Sequence, residues 1–293
     1  MASKKIGCVF TNKSGDIIKV IEYLDADNCT IQFEDGVTVT KASFRRLKYG
    51  KFTKPIKREG EEFISNQGYK VKIIEYKSAK NCTAIINNDY ICENLVYSNI
   101  KKGEVDYPYH LSVLGIGYLG VGLTNKKSLS KWRSMLNRCY NSDYKDIHST
   151  YEEIEVCEEW LNYQNFKKWY KENYIENFEL DKDILFKGNK IYSPETCCFV
   201  PQEINKVFTK TNAKRGQFYI GVHYNKKEDK YVARVNKNGQ KFHVGSFDTP
   251  EEAFQAYKTE KEAYIKEVAD KWKGQITKQV YQAMYNYQVE ITD

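Results

Sequence analysis

Residues 219–249 read YIGVHYNKKEDKYVARVNKNGQKFHVGSFDT, and the C-terminal fold is decided by how they alternate. Tyr219, Val222 and Tyr224 lead into a polar turn at 225–229. Tyr231, Ala233 and Val235 then alternate with Val232, Arg234 and Asn236, the period of a strand. Asn238-Gly239 signals a two-residue hairpin, whose central residues both need positive φ. Phe242, Val244 and Ser246 alternate with His243 and Gly245 in a third strand. Thr249 at N-cap, Pro250 at the first helical position and Glu252 in capping-box register open a helix. Phe254, Tyr257, Lys261, Tyr264, Val268 and Trp272 follow at steps of three or four and form one stripe. Three strands packed on one helix leave one sheet face uncovered.

That segment is basic. Between 211 and 250, eight Lys or Arg (214, 215, 226, 227, 230, 234, 237 and 241) face three acids (228, 229 and 248), a net of +5. A basic sheet face can enter a major groove as a β-ribbon. The same composition also suits a merely solvated face, and charge alone does not choose.

The run YIGVHY…KYVARVNKNGQKFHVGSFDTPEEAFQAY resembles the AP2 DNA-binding domain, in the form found in phage and mobile-element proteins. The likeness spans 214–272 and rests on the Y-x-G-V start, the aromatic-x-A-R-V strand, the hairpin and the G-x-F-x-T-x-E-E-A step, in order. It implies that the sheet, not the helix, meets the major groove of double-stranded DNA. It implies contacts from His223, Asn225, Lys227, Lys230, Tyr231, Arg234, Asn236, Lys241 and His243. His223 and Asn225 stand where the family carries basic residues, so base preference does not transfer.

The whole chain has 293 residues, a length that suits two to four small domains. Hydrophobic residues make up 41% and aromatics 14%, enough for folded cores, and the 24 tyrosines suit small, half-wet sheets. The net charge of +7 is compatible with a polyanionic partner without requiring one. No run of 18 apolar residues occurs, and MASKKIGCVF lacks an apolar signal core. The expected setting is the cytoplasm of a bacterial host cell, with no membrane partner and with the eight cysteines as reduced thiols.

Residues 6–108 are a duplication at an offset of 53. Ile21-Glu22-Tyr23 and Asn28-Cys29-Thr30 recur as Ile74-Glu75-Tyr76 and Asn81-Cys82-Thr83, and Phe10, Phe44 and Gly50 find Phe63, Tyr97 and Gly103. Short alternating runs separated by turns predict two small, strongly bent SH3-like or Tudor-like β-barrels, at 1–55 and 56–108. Matched Cys29 and Cys82 read as core positions. The basic residues Arg45, Arg46, Lys48, Lys51, Lys54, Lys57 and Arg58 read first as a solvated linker, with phosphate tracking as the alternative.

Residues 109–127 form a glycine-rich connector. Its Gly115–Gly120 run matches G-x-G-x-x-G, but no βαβ unit surrounds it and no helix opens at its last glycine. Residues 128–210 form a mixed unit, and 211–293 complete the chain with a closing helix and a short strand at 289–291.

The middle unit, WRSMLNRCYN…VCEEW…LDKDIL…GNK-YSPETCCFVP…IN, is similar to HNH endonuclease-like proteins that phages couple to AP2 domains. The resemblance implies a ββα-metal-type unit, in which a histidine activates water beside one divalent ion. Asp181, Lys182, Asp183, Asn189 and Asn205 fall at its site, and Asp181, Asp183 and Asn205 are the residues that would hold Mg2+. Lys182 stands where the active family has its histidine, and an ammonium is a poor general base beside a metal. Cleavage is therefore more expected lost than kept. Cys139, Cys157, Cys197 and Cys198 lack paired zinc-ligand spacing and read as buried thiols.

The expected architecture is a multidomain α+β chain: tandem barrels, an HNH-like unit and an AP2-like reader. Three functions are open: a phage-type binder of double-stranded DNA with a degenerate HNH-like unit, a homing-type HNH endonuclease, or an anti-defence adaptor that binds a host protein.

Overall fold

The computed structural model describes residues 5–208 and 218–291. Lys214 and Arg215, counted above with the basic segment, lie outside the described residues. The chain is α+β with several small antiparallel sheets, and it divides into two compact units, 1–107 and 108–293.

The first unit holds the duplication. Strands β1 (Val9–Thr11), β2 (Ile17–Asp25), β3 (Asn28–Phe33) and β4 (Thr38–Ala42) precede helix α1 (Phe44–Lys48). The second copy runs β5 (Glu62–Ile64), β6 (Lys70–Ser78), β7 (Asn81–Ile86), β8 (Tyr90–Leu95) and α2 (Tyr97–Lys101). β2 and β6 share one order of buried and exposed residues, as do β3 and β7, and both pairs bulge at the same place, between Val20 and Glu22 and between Ile73 and Glu75. Ile18, Val20, Cys29 and Ile31 fill one core; Val71, Ile73, Cys82 and Ala84 fill the other. The two cysteines are core residues, as their matched positions predict.

The barrels are not closed. Each sheet is an open meander, β1-β2-β3-β4 and β5-β6-β7-β8, with no pairing between its outer strands among the described residues. The reason lies after the fourth strand. The chain turns into a short helix there, and in the first copy the Asn12 side chain reaches the chain beyond that helix, its Nδ2 donating to the Phe52 carbonyl at 3.1 Å.

A cation plugs each copy at equivalent positions. Lys5 Nζ donates to the Tyr23 hydroxyl at 2.7 Å and lies 5.1 Å from the Phe44 ring centroid. Its counterpart 53 residues on, Arg58, lies 4.0 Å from the Tyr97 centroid and 5.6 Å from that of Tyr76. Arg58 also pairs with Glu61 at 3.0 Å, and the Tyr97 hydroxyl donates to Glu61 at 2.8 Å. With more bonds per cation, Arg58→Ala is expected to lower the melting temperature of the first unit more than Lys5→Ala, with Arg58→Lys between them. Equal shifts in thermal melts would mean that these bonds do not hold the copies together. Lys54 pairs with Asp35 at 2.6 Å, so Lys54 and Arg58 of the basic run are held within the copies.

The second unit begins with the connector, which is folded. Tyr118 N–H donates to Leu161 O and its carbonyl accepts from Tyr163 N–H. Helices α3 (Lys126–Tyr140) and α4 (Ser142–Ile147) follow, then β9 (Glu155–Val156), α5 (Glu158–Leu161) and α6 (Tyr163–Asn173). Trp132, Leu136, Trp160, Tyr163 and Phe166 build a fully buried, mostly aromatic core among α3, α5 and α6. Next come β10 (Phe178–Asp181), β11 (Ile191–Tyr192), β12 (Cys198–Pro201) and α7 (Gln202–Phe208). β10 pairs antiparallel with β12, and β11 pairs parallel with β9.

The C-terminal sheet is β13 (Val222–Asn225), β14 (Lys230–Lys237) and β15 (Gln240–Phe247), in that order. Helix α8 (Pro250–Lys271) covers it, and α9 (Lys278–Tyr285) packs on α8. The capping box forms as expected, with Glu252 N–H on Thr249 Oγ1 and Thr249 N–H on Glu252 Oε2. Asn238 and Gly239 both adopt positive φ, as the hairpin demands.

Packing joins two of the segments drawn from the sequence, and one expected strand does not form among the described residues. The segments 128–210 and 211–293 share a core, in which Ile184, Cys198, Val200 and Ile204 join Ala233, Val235, Phe254 and Ile265. Glu203 on α7 pairs with Lys271 at 2.7 Å and accepts from Trp272 Nε1 at 2.8 Å. Lys261, within the stripe of α8, donates to Val207 O at 2.8 Å, and burial pushes its ammonium pKa down to about 8. The expected strand at 289–291 is absent among the described residues: the Val289 backbone is satisfied by side chains of α8, its N–H by Glu262 and its carbonyl by Lys258.

Candidate nucleic-acid interface and hairpin loop

The sheet face turned away from α8 is built by alternation, with Val232 buried on it and Arg234 and Asn236 exposed. Ala233 and Val235 point into the core with α8, so Val232, Arg234 and Asn236 take the other face. Cross-strand partners share a face. His223 lies opposite Val232, Asn225 opposite Lys230, His243 opposite Arg234 and Lys241 opposite Asn236. Seven of the nine expected contacts therefore fall on one face. Burial first, and then the neighbouring Arg234, Lys241 and His243, hold the His223 imidazole pKa below the ordinary value.

The other two differ. Lys227 is exposed in the turn between β13 and β14, where its N–H donates to Asn225 Oδ1 at 3.1 Å. Tyr231 takes the opposite face. The two-residue period puts it with Ala233 and Val235, where its ring packs 5.2 Å from Phe218 and 5.1 Å from Tyr224. It supports the sheet and does not line the basic face. Lys230 is tied to Asp248. No ion pair involves Arg234 or Lys241 among the described residues, so their charges are uncompensated by a near neighbour.

The residues expected to form a metal site sit on the loop after β10. The order strand, strand, helix is present in β10, β12 and α7, and Asn205 lies on the helix as expected. The polar groups of the loop are engaged with one another. Asp181 Oδ1 accepts the N–H groups of Asp183 and Ile184, both at 2.8 Å. Lys182 is only 6% exposed, and its Nζ donates to Asp183 Oδ1 at 2.7 Å and to Asn189 O at 2.9 Å. Asn189 braces the loop by donating to Lys182 O and Ile191 O. Asn205 donates to Glu179 Oε2 at 2.6 Å. Glu179 was not among the expected residues. Its spacing of two from Asp181 along a strand places both on one face, and that was the available signal.

This donor set does not fit a divalent ion. A second cation at Asp183 would meet the Lys182 ammonium already bonded there, and Asp181 Oδ1 already accepts two backbone N–H groups. Among the described residues no three His, Cys, Asp or Glu side chains converge as metal ligands.

Comparison with protein-family models, with curated proteins and with solved structures finds no match for this chain. No described helix is long and apolar enough to cross a membrane.

Asp181 makes the structural role of the loop testable. Burial, ahead of its two N–H bonds, raises its carboxyl pKa above 3.8. A raised folded pKa means that the native state binds more protons than the unfolded chain, so stability falls as pH rises through that window. Asp181→Asn keeps an oxygen for both N–H groups and removes the buried charge. It is expected to raise the melting temperature at pH 7 by about 2–4 °C, with the gain narrowing as pH falls toward 3.8. A loss of stability at pH 7 in thermal melts would contradict this reading.

Proposed function

We propose that the chain binds double-stranded DNA through the β13–β14–β15 face, with the hairpin unit acting as a scaffold. The observation that carries this reading is the shared face of His223, Arg234, Asn236, Lys241 and His243, opposite a helix that supports the sheet. Cations without acidic neighbours attract phosphates, while Asn236, His223 and His243 offer hydrogen-bonding groups to base edges. The resemblance to the AP2 domain assigns the same face.

The second reading is a metal-dependent endonuclease of the HNH type, favoured by the strand, strand, helix order of β10, β12 and α7. Lys182 speaks against it, since its buried ammonium neutralises a proposed metal ligand. Incubation with plasmid DNA in Mg2+, Mn2+ or EDTA separates the two. Retarded, uncut DNA in every lane is the expected result; nicking that needs metal and disappears in Asp181→Asn would establish the nuclease.

A further inference from the structure

The loop that leads into α3 holds apolar side chains out in solvent. Leu123 is 86% exposed, the most of any large hydrophobic residue among those described, and Val121 is 55% exposed. The backbone that carries them is tied down at four points. Gly120 N–H donates to Pro108 O at 2.9 Å and Asn125 N–H to the Tyr163 hydroxyl at 2.8 Å. Two side chains of α6 reach the carbonyls between, Gln164 Nε2 to Leu119 O at 3.0 Å and Lys167 Nζ to Leu123 O at 2.5 Å. The loop runs so close to α6 that a Cβ at Gly122 would stand 2.9 Å from Gln164 Oε1. Leu123 is thus presented by a braced backbone and not by a free-swinging one.

Positive charge borders this tip. Lys126 follows it in the first turn of α3 and is exposed. On α6, Lys168 and Lys171 lie one turn beyond Gln164 and Lys167, on the side that holds the loop, and both are exposed. None of these three lysines is in an ion pair among the described residues, whereas Lys127 pairs with Glu176 at 3.0 Å. Glu172 is the one acid within α6.

An apolar tip with a cationic rim matches the two parts of a deformable duplex, stacked base pairs and the phosphates beside them. Proteins that bend DNA wedge an apolar side chain between base steps from the minor groove and hold the flanking backbone with cations. We infer that Leu123, with Val121 beside it, is a wedge that kinks double-stranded DNA, and that Lys126, Lys168 and Lys171 hold the adjacent phosphates. The inference rests on the proposed DNA binding and adds a second contact to the β13–β14–β15 face. An anionic membrane also attracts lysines around an apolar tip, but an interfacial anchor buries a whole apolar helix face or an acyl chain, and two side chains offer far less.

The test is Förster transfer between dyes at the two ends of a short duplex, with fluorescence anisotropy read on the same samples at saturating protein. The wild type is expected to draw the ends together by a kink of about 20–90°. Leu123→Ser should remove most of that change and weaken binding about tenfold, the scale of one buried leucine side chain. Its melting curve should match the wild type, because the side chain is exposed, and Leu123→Met should keep the kink. Arg234→Ala/Lys241→Ala, at concentrations that restore saturation, should keep the kink as well. Binding with no end-to-end change, or with the same change in wild type and Leu123→Ser, overturns the wedge and leaves the sheet-face reading standing. A Leu123-dependent kink, with the sheet-face double variant binding as tightly as the wild type, supports the wedge and overturns the sheet face. No binding at all overturns both. Cosedimentation with vesicles of anionic phospholipid that is lost in Leu123→Ser, with no kink in DNA, assigns the tip to a membrane surface and overturns the inference.

Discussion

Arg234→Ala/Lys241→Ala is expected to weaken binding to duplex DNA about a hundredfold at moderate salt, with the melting curve of the chain unchanged. Neither side chain enters the core and neither is in an ion pair among the described residues, so truncation removes charge without leaving a buried partner unpaired. Each lost phosphate contact also removes released counterions. The slope of log affinity against log salt should therefore fall by about 2. Tyr231→Ala provides the contrast. Its ring packs against Phe218 and Tyr224 on the helix-side face, so it should lower stability and leave the salt slope as it was. Fluorescence anisotropy at several salt concentrations reads both quantities. An unchanged slope in the double variant would exclude these two residues from the interface.

The second large effect concerns Gly221. Its φ is +77°, and a Cβ built there would meet Tyr257 ring atoms at 2.1, 2.3 and 2.5 Å. Tyr257 is buried on α8, so the ring has little room to retreat. Gly221→Ala adds backbone strain to overpacking and is expected to cost about 3–5 kcal/mol. Gly239 is the internal control. It has a similar φ of +83°, and a Cβ there would meet nothing within 4 Å, so Gly239→Ala carries the backbone cost alone, about 1–2 kcal/mol. Urea unfolding of both variants compares them. Equal losses would mean that the close approach of strand and helix is not what requires glycine at 221.

Sequence period carried most of the secondary structure. The 53-residue repeat is mirrored by burial patterns and bulges that match between copies, because identical alternation buries identical positions. The capping box at Thr249 and the hairpin at Asn238-Gly239 are local chemistry, legible within four residues. Closure of the sheets was not legible. Alternation specifies strands, whereas closure depends on where the chain goes after β4 and β8. The shared core was hidden for a related reason. Ile184, Cys198 and Val200 look like hairpin residues until α8 packs against them. At the candidate sites, the seven residues gathered on one sheet face were readable by period, and the same period sets Tyr231 on the other face. Lys182 could be read from the sequence only as standing where the HNH resemblance expects a histidine; its bond to Asn189 O joins groups seven residues apart through a loop whose path no spacing rule gives.

Whether the β13–β14–β15 face meets the DNA is read most directly by ultraviolet crosslinking of the full chain to duplex substituted with bromodeoxyuridine, followed by mapping of the crosslinked peptides. Crosslinks are expected in peptides that contain His223, Arg234, Asn236, Lys241 or His243. Crosslinks confined to residues 5–107, with none in the sheet, would contradict DNA binding through this face.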